Sequence, residues 1–129
     1  MFREEILKRF KNPANAGGMR GANGTGKSGD IELGEVIKIY LAINDNEIIE
    51  EARFKAYGGV LTIAGCDIVC DMLTNISLQD AINISKADIN EKVDFPAEKE
   101  FVASLIEEAI KSAIEDYYKK KEKEEKKNK

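Results

Sequence analysis

Apolar residues along the chain switch between helical and strand spacing, and each switch marks an element. Ile6, Leu7 and Phe10, with Phe2 a turn earlier, fall on one helical face, and Asn12-Pro13 ends it. From Ala14 to Gly34 no apolar period is present and seven of the ten glycines gather, so the segment reads as a loop, not a regular element. From Val36 to Ile43, alternation takes over: Ile37, Ile39, Leu41 and Ile43 on one side, Lys38 and Tyr40 on the other. Asn44-Asp45-Asn46-Glu47 supplies turn residues, and Ile48 to Tyr57 returns as a second strand carrying Ile49, Ala52, Phe54 and Tyr57. Gly58-Gly59 ends that strand.

Helical spacing then resumes. Leu61 to Leu73 predicts a helix whose apolar arc is Leu61, Gly65, Ile68, Val69, Met72 and Leu73. Ser77-Leu78-Gln79-Asp80 reads as an N-cap opening a short helix. Lys86 to Phe95 is polar and expected to be extended. A long helix is expected from about Ala97 to Tyr118, with Val102, Leu105, Ile106, Ala109, Ile110 and Ala113 facing inward. No internal repeat or domain linker interrupts the chain. The order predicts an α+β fold: a small antiparallel sheet, helices packed on one face, and a long C-terminal helix. One domain is expected over residues 1–118, followed by a charged, frayed or disordered helical tail over 119–129.

Length and composition narrow the function. A chain of 129 residues has room for one core. No apolar run reaches the length of a membrane span. The start, MFREEILKRF, carries acids and resembles neither a signal nor a transit peptide, so the cytoplasm is the expected compartment. The formal net charge is −4, yet Lys119 to Lys129 holds seven Lys against three Glu, leaving the rest at −8. An acidic body argues against a nucleic-acid groove. There is no histidine, which removes the commonest general base and zinc ligand. The chain is therefore expected to bind partners rather than to catalyse. Two cysteines, Cys66 and Cys70, are too few for a disulfide scaffold and are poorly placed to bridge each other within one helix.

Gly21-Ala22-Asn23-Gly24-Thr25-Gly26-Lys27-Ser28 satisfies the phosphate-binding pattern G-x-x-x-x-G-K-S. That mechanism needs a buried strand before the loop and a helix after it, so that backbone N–H groups cradle phosphates. Here no apolar strand precedes, and a strand follows. A flexible glycine-rich loop is the expectation, with nucleotide binding through Lys27 as an alternative.

Several stretches resemble the IscU/NifU-type iron–sulfur cluster scaffold. They are Lys11-Asn12-Pro13 with Asn15 and Gly17, Gly34 to Ile39, Ile43-Asn44-Asp45, Ile48 to Gly58 and Glu107 to Tyr117. The resemblance implies a small α+β domain that receives sulfur from a cysteine desulfurase, builds a cluster and passes it on. In that family three cysteines and an aspartate hold the cluster, thiolates being soft ligands suited to iron. This chain departs at each cysteine. The family's A-C-G-D aligns with Glu32-Leu33-Gly34-Glu35, Y-G-C-G with Tyr57-Gly58-Gly59-Val60, and H-C with Phe101-Val102. Only an acid remains, as Glu35. The family's chaperone-recognition L-P-P-V-K aligns with Phe95-Pro96-Ala97-Glu98-Lys99.

Cys66 and Cys70 lie on consecutive helical turns about 40° apart, so one ion could touch both. Asp67 sits on the neighbouring strip and Glu35 is a fourth candidate ligand from elsewhere. Two cysteines without histidine fall short of a closed four-ligand site unless two subunits share the ion. The alternative is that both cysteines are small core residues. The expectation is a scaffold-like protein with lost or altered iron or cluster binding. The alternative is a ligand-free relative that docks a cysteine desulfurase or another scaffold subunit.

Overall fold

The structure, a computed structural model, describes residues 3–128. Helix α1 (Arg3–Lys11) is followed by three strands, β1 (Gly24–Asp30), β2 (Glu35–Ile43) and β3 (Ile49–Tyr57). Helices α2 (Val60–Leu73), α3 (Leu78–Ala81) and α4 (Lys86–Val93) come next, then a 3-10 turn (Ala97–Lys99) and α5 (Glu100–Lys127). The sheet is antiparallel in the order β1-β2-β3. Helix α5 packs on β1 and β2, α2 on β3, and both lie on the same face of the sheet. Ile37, Ile39 and Leu41 of β2 point into that layer and meet the inner faces of α2 and α5. This is the expected α+β plan. Phe2, assigned to the first helical face, lies outside the described residues.

Two expectations are corrected. The first is the glycine-rich loop, because its second half is strand β1. Its inward positions are Gly24, Gly26 and Ser28, small residues that leave no hydrophobic signal. They are small because α5 lies almost on the strand's backbone. A methyl at Gly24 would stand 2.7 Å from Ala113 O, and one at Gly26 would collide with Ala109 O and Ala113 N. Ser28 Oγ donates to Leu105 O at 2.6 Å. The segment matching the phosphate-binding pattern is thus a turn and a strand, and Lys27 faces away from the helices.

The second correction concerns Lys86 to Phe95, which is helical through Val93. Ser85 and Asp88 form a capping box, Ile89 and Val93 are buried one turn apart, and Asp94 closes the helix in a left-handed conformation (φ 61°). An apolar stripe of two residues is too thin to register as a period, although Ser85-x-x-Asp88 carried the start signal.

Tyr118 to Lys127 continue α5 with every side chain exposed. Glu115–Lys119, Asp116–Lys120 and Glu122–Lys126 pair at i,i+4 along it. Among the described residues no helix is long and apolar enough to cross a membrane.

Replacing Gly26 with Ala should destabilise the protein by about 3 kcal/mol, because the clash is with backbone that cannot rotate away. Lys27→Ala, one residue on and facing outward, should move stability by no more than about 0.5 kcal/mol. Urea denaturation of the two variants checks both.

Candidate functional site

The segments that carry the resemblance converge on one end of the molecule. The β1–β2 turn bearing Leu33 lies at the end of the sheet where β3 finishes, because Val36 pairs with Tyr57. Gly58 and Gly59 lead from there directly into α2. The start of α5 reaches the same end: Gly24 meets Ala113, Gly26 meets Ala109 and Ser28 meets Leu105, so Phe101 and Val102 lie beyond, towards the turn.

What this pole presents is apolar. Ile31 (74% exposed), Leu33 (50%), Tyr57 (63%), Val60 and Phe101 are five of the eight large hydrophobic side chains left in solvent among the described residues. Val102 is fully buried, and a side chain added at Gly59 would meet nothing within 4 Å. The side chains of leucine, glycine and valine offer no lone pair to a metal, so Leu33, Gly59 and Val102, which the resemblance aligns with the family's cysteines, do not fit a cluster.

Glu35 does not fill the gap. It is 4% exposed, and its Oε2 accepts a hydrogen bond from Thr62 Oγ1 and packs against the Gly58 Cα. Thr62 belongs to the first turn of α2, so the carboxylate lies at the positive end of that helix, which offsets part of the cost of burying it. The acid points inward as a fastener between β2 and α2.

Cys66 and Cys70 sit one turn apart, as expected, on the core face of α2, and both are 0% exposed. Burial above all, then the fields of Glu35 and Asp67, pushes the Cys66 thiol far above its ordinary range. Burial, then Cys66 and the two aspartates, pushes up Cys70 in the same way. Both sulfurs are packed in the core, where an ion could reach them only by opening it.

Asp67 lies on the adjoining strip and faces α1. Its Oδ2 accepts from Arg9 Nη1 at 2.9 Å and its Oδ1 from the Asn15 backbone N–H at 2.8 Å. The same Arg9 nitrogen reaches Asp71 Oδ2 at 2.8 Å, and Asn15 Nδ2 bridges Asp67 O and Asp71 Oδ1. Burial works against ionised Asp71, but Asn15 and Arg9 outweigh it and hold its carboxyl below the usual range. Asn15 O in turn accepts from Phe54 N–H, so this polar clamp pins α1 and the following segment across α2 and the edge of β3. Spacing alone did not reveal it, because its members are more than 50 residues apart. Among the described residues no three Cys, Asp or Glu side chains gather as a metal-holding group.

Comparison with known proteins agrees with the fold. The model of the NifU-like N-terminal domain matches residues 1–124. The chain is 36% identical over 124 residues to the iron-sulfur cluster assembly scaffold protein IscU of Escherichia coli K12, covering 94% of this chain and 97% of that one. It is 34% identical to the protein of the same name from Haemophilus influenzae, covering 90% and 94%. Among solved structures it is similar to a putative iron-sulfur cluster assembly scaffold protein for the SUF system from Fervidobacterium islandicum AW-1. That match has a TM-score of 0.70 and 14% identity, covering 88% of this chain and 96% of that one. A NifU-like protein (N-terminal) from Brucella abortus also gives 0.70, at 11% identity and 92% and 94% coverage.

Three outcomes are expected. Cys66 and Cys70 should resist an aromatic disulfide reagent until urea unfolds the chain, which a stopped-flow thiol assay reads directly. Arg9→Ala, which leaves buried Asp67 without its cation, should cost about 2 kcal/mol at neutral pH. Asp71, whose folded pKa is depressed, contributes fully above about pH 4, and its share fades as pH falls through the lower folded value. Urea midpoints of wild type should therefore fall more steeply in acid than those of Arg9→Ala.

Proposed function

The chain belongs to the NifU-like N-terminal domain family, and from that premise we propose that it serves iron–sulfur cluster assembly as a scaffold-type protein that has given up cluster ligation and kept a binding pole. The observation that carries this reading is the identity of the four matching positions. Leu33, Gly59 and Val102 stand where the family has cysteines, and Glu35, at the aspartate position, is turned inward to Thr62. The cluster is cargo for such a protein, and this chain has no soft donor at the place where the cargo would sit.

The pole has instead become a contact surface. Ile31, Leu33, Tyr57, Val60 and Phe101 expose apolar area on four different segments, the kind of patch that marks a protein interface. Its occupant on this reading is a cysteine desulfurase or another scaffold subunit. The protein works by docking rather than by catalysis, in the cytoplasm, as one domain extended by the charged end of α5.

A cluster relocated to Cys66 and Cys70, with Asp67 and Glu35, is less well supported. Both thiols are buried and neutral, Asp67 is bound to Arg9, and Glu35 to Thr62. Recruiting them would open the core face of α2, even if a second subunit completed the set.

Anaerobic reconstitution with iron and sulfide tests the proposal. The natural protein should stay colourless and iron-free. Leu33→Cys/Gly59→Cys/Val102→Cys with Glu35→Asp should acquire a chromophore with bound iron and sulfide, since Gly59 has open space and Leu33 is half exposed. A stoichiometric chromophore in the natural protein, lost in Cys66→Ser/Cys70→Ser, would overturn the reading.

A further inference from the structure

The helices cover one face of the sheet, and among the described residues no helix covers the other. The register sets three lysines side by side on that open face: Lys27 of β1 opposes Lys38 of β2, which opposes Lys55 of β3. Adjacent strands are about 5 Å apart, so the row starts three lysine side chains from a width of about 10 Å. Among the described residues no carboxylate forms an ion pair with any of the three. Two positions along, Arg53 opposes Tyr40, and the acids of this side, Glu51 (its partner) and the exposed Glu50 at the bulge, stand at the far end of β3 from the row. Four cations against two acids leave this face at +2 in a chain of net −4, so the remainder is at −6.

Like charges placed directly opposite one another destabilise a sheet. Lys38 relieves part of its load by lying over the Tyr40 ring, 5.2 Å from its centroid. Lys55 runs past Gly18, where an added methyl would meet its Nζ at 3.4 Å. Neither contact supplies a counter-charge. Beside the row lies an apolar floor: Val36, Ala56 and Tyr57 line a shallow depression together with the three lysines. A feature that weakens the folded state and concentrates one sign of charge beside apolar surface is what a complementary partner would require.

We propose that this open sheet face is a docking surface for an acidic, amphipathic protein segment, with two or three of its carboxylates on the Lys27–Lys38–Lys55 row and an apolar side chain against Val36 and Tyr57. Carboxylates at i, i+3 or i+4 on a helix are about 5–6 Å apart, which matches the spacing of the row. A longer polyanion such as a nucleic acid would run off a face about 10 Å wide onto acidic surroundings, so the short segment is favoured. The surface shares Tyr57 with the pole, but its lysine row includes none of Leu33, Glu35, Gly59 and Val102, and its assignment does not depend on the fate of the cluster.

Fluorescence polarisation on the full chain, with a labelled peptide of three Glu-Glu-Leu-Phe repeats, is the test. Binding should be seen at low salt and weaken as salt is added. Lys38→Glu should weaken it about tenfold or more, the loss of one close charge contact and the gain of a repulsive one. The same substitution should raise Tm, because a carboxylate then sits between two lysines, so lost binding could not be laid to lost folding. Lys123→Glu/Lys127→Glu, on the exposed end of α5, should leave binding unchanged. No binding by wild type, equal binding by Lys38→Glu, or loss only in the α5 variant would overturn the proposal. So would tighter binding of labelled oligothymidylate that Lys38→Glu removes, which would assign the face to single-stranded nucleic acid instead.

Discussion

The close approach of α5 to the backbone of β1 is the constraint on which the rest of the fold depends. Two residues of strand advance about 6.8 Å and four residues of helix about 6 Å, so the elements keep step while running antiparallel. Gly24 meets Ala113, Gly26 meets Ala109 and Ser28 meets Leu105 in regular sequence. Thr25 N–H donates to Asp116 Oδ2 at 2.9 Å, fastening the far end of the same contact. With the helix seated this deep, its first turn arrives at the β1–β2 turn and the start of α2. The pole is therefore assembled by a packing rule in which the pole residues take no part.

With that separation, the proposed loss of ligands at the pole would carry no cost to the fold. Domains that fold around a metal lose their structure when the ligands go, because metal binding supplies their folding free energy. Here the core is supplied by Ile37, Ile39, Leu41, Phe54, Ile106 and Ile110, all buried between sheet and helices. Leu33 stands half in solvent, Gly59 borders open space, and Val102 joins the core as an apolar side chain. Glu35 gains a structural place from its hydrogen bond with Thr62. Each of these four residues is either indifferent or useful to packing.

Legibility in the sequence followed how each element is stabilised. Strands β2 and β3 were readable because one face is buried and the other is not, which forces alternation of period two. Strand β1 was not, because its inward residues are selected for smallness against a helix, and glycine reads as a loop when the helix is unseen. Helix α4 was missed for want of a broad stripe, its anchorage being Ile89 and Val93 alone. The assignment of Leu33, Glu35, Gly59 and Val102 to the family's ligand positions rests on their flanking motifs. The inward turn of Glu35 and the engagement of Asp67 by Arg9 were not, since partners 27 and 58 residues distant leave no local pattern. The lysine row belongs with these: Lys27, Lys38 and Lys55 become neighbours only when the register of both strand pairs is known.

Charge is handled in opposite ways on the two sides of the sheet, and the contrast is informative. Among the buried polar groups every side-chain nitrogen and oxygen of the described residues has a hydrogen-bond partner. Asp67, the deepest acid on α2, meets an arginine and a backbone N–H. On the solvent side of the same domain, three lysines are stacked without a carboxylate although acids outnumber bases in the chain, 24 to 20. One Glu in the row would remove the repulsion, and folding alone would favour it. A protein that satisfies its interior this completely while tolerating that strain on an open face carries the strain for a purpose outside its own fold, and a partner of opposite charge is the simplest physical source of compensation.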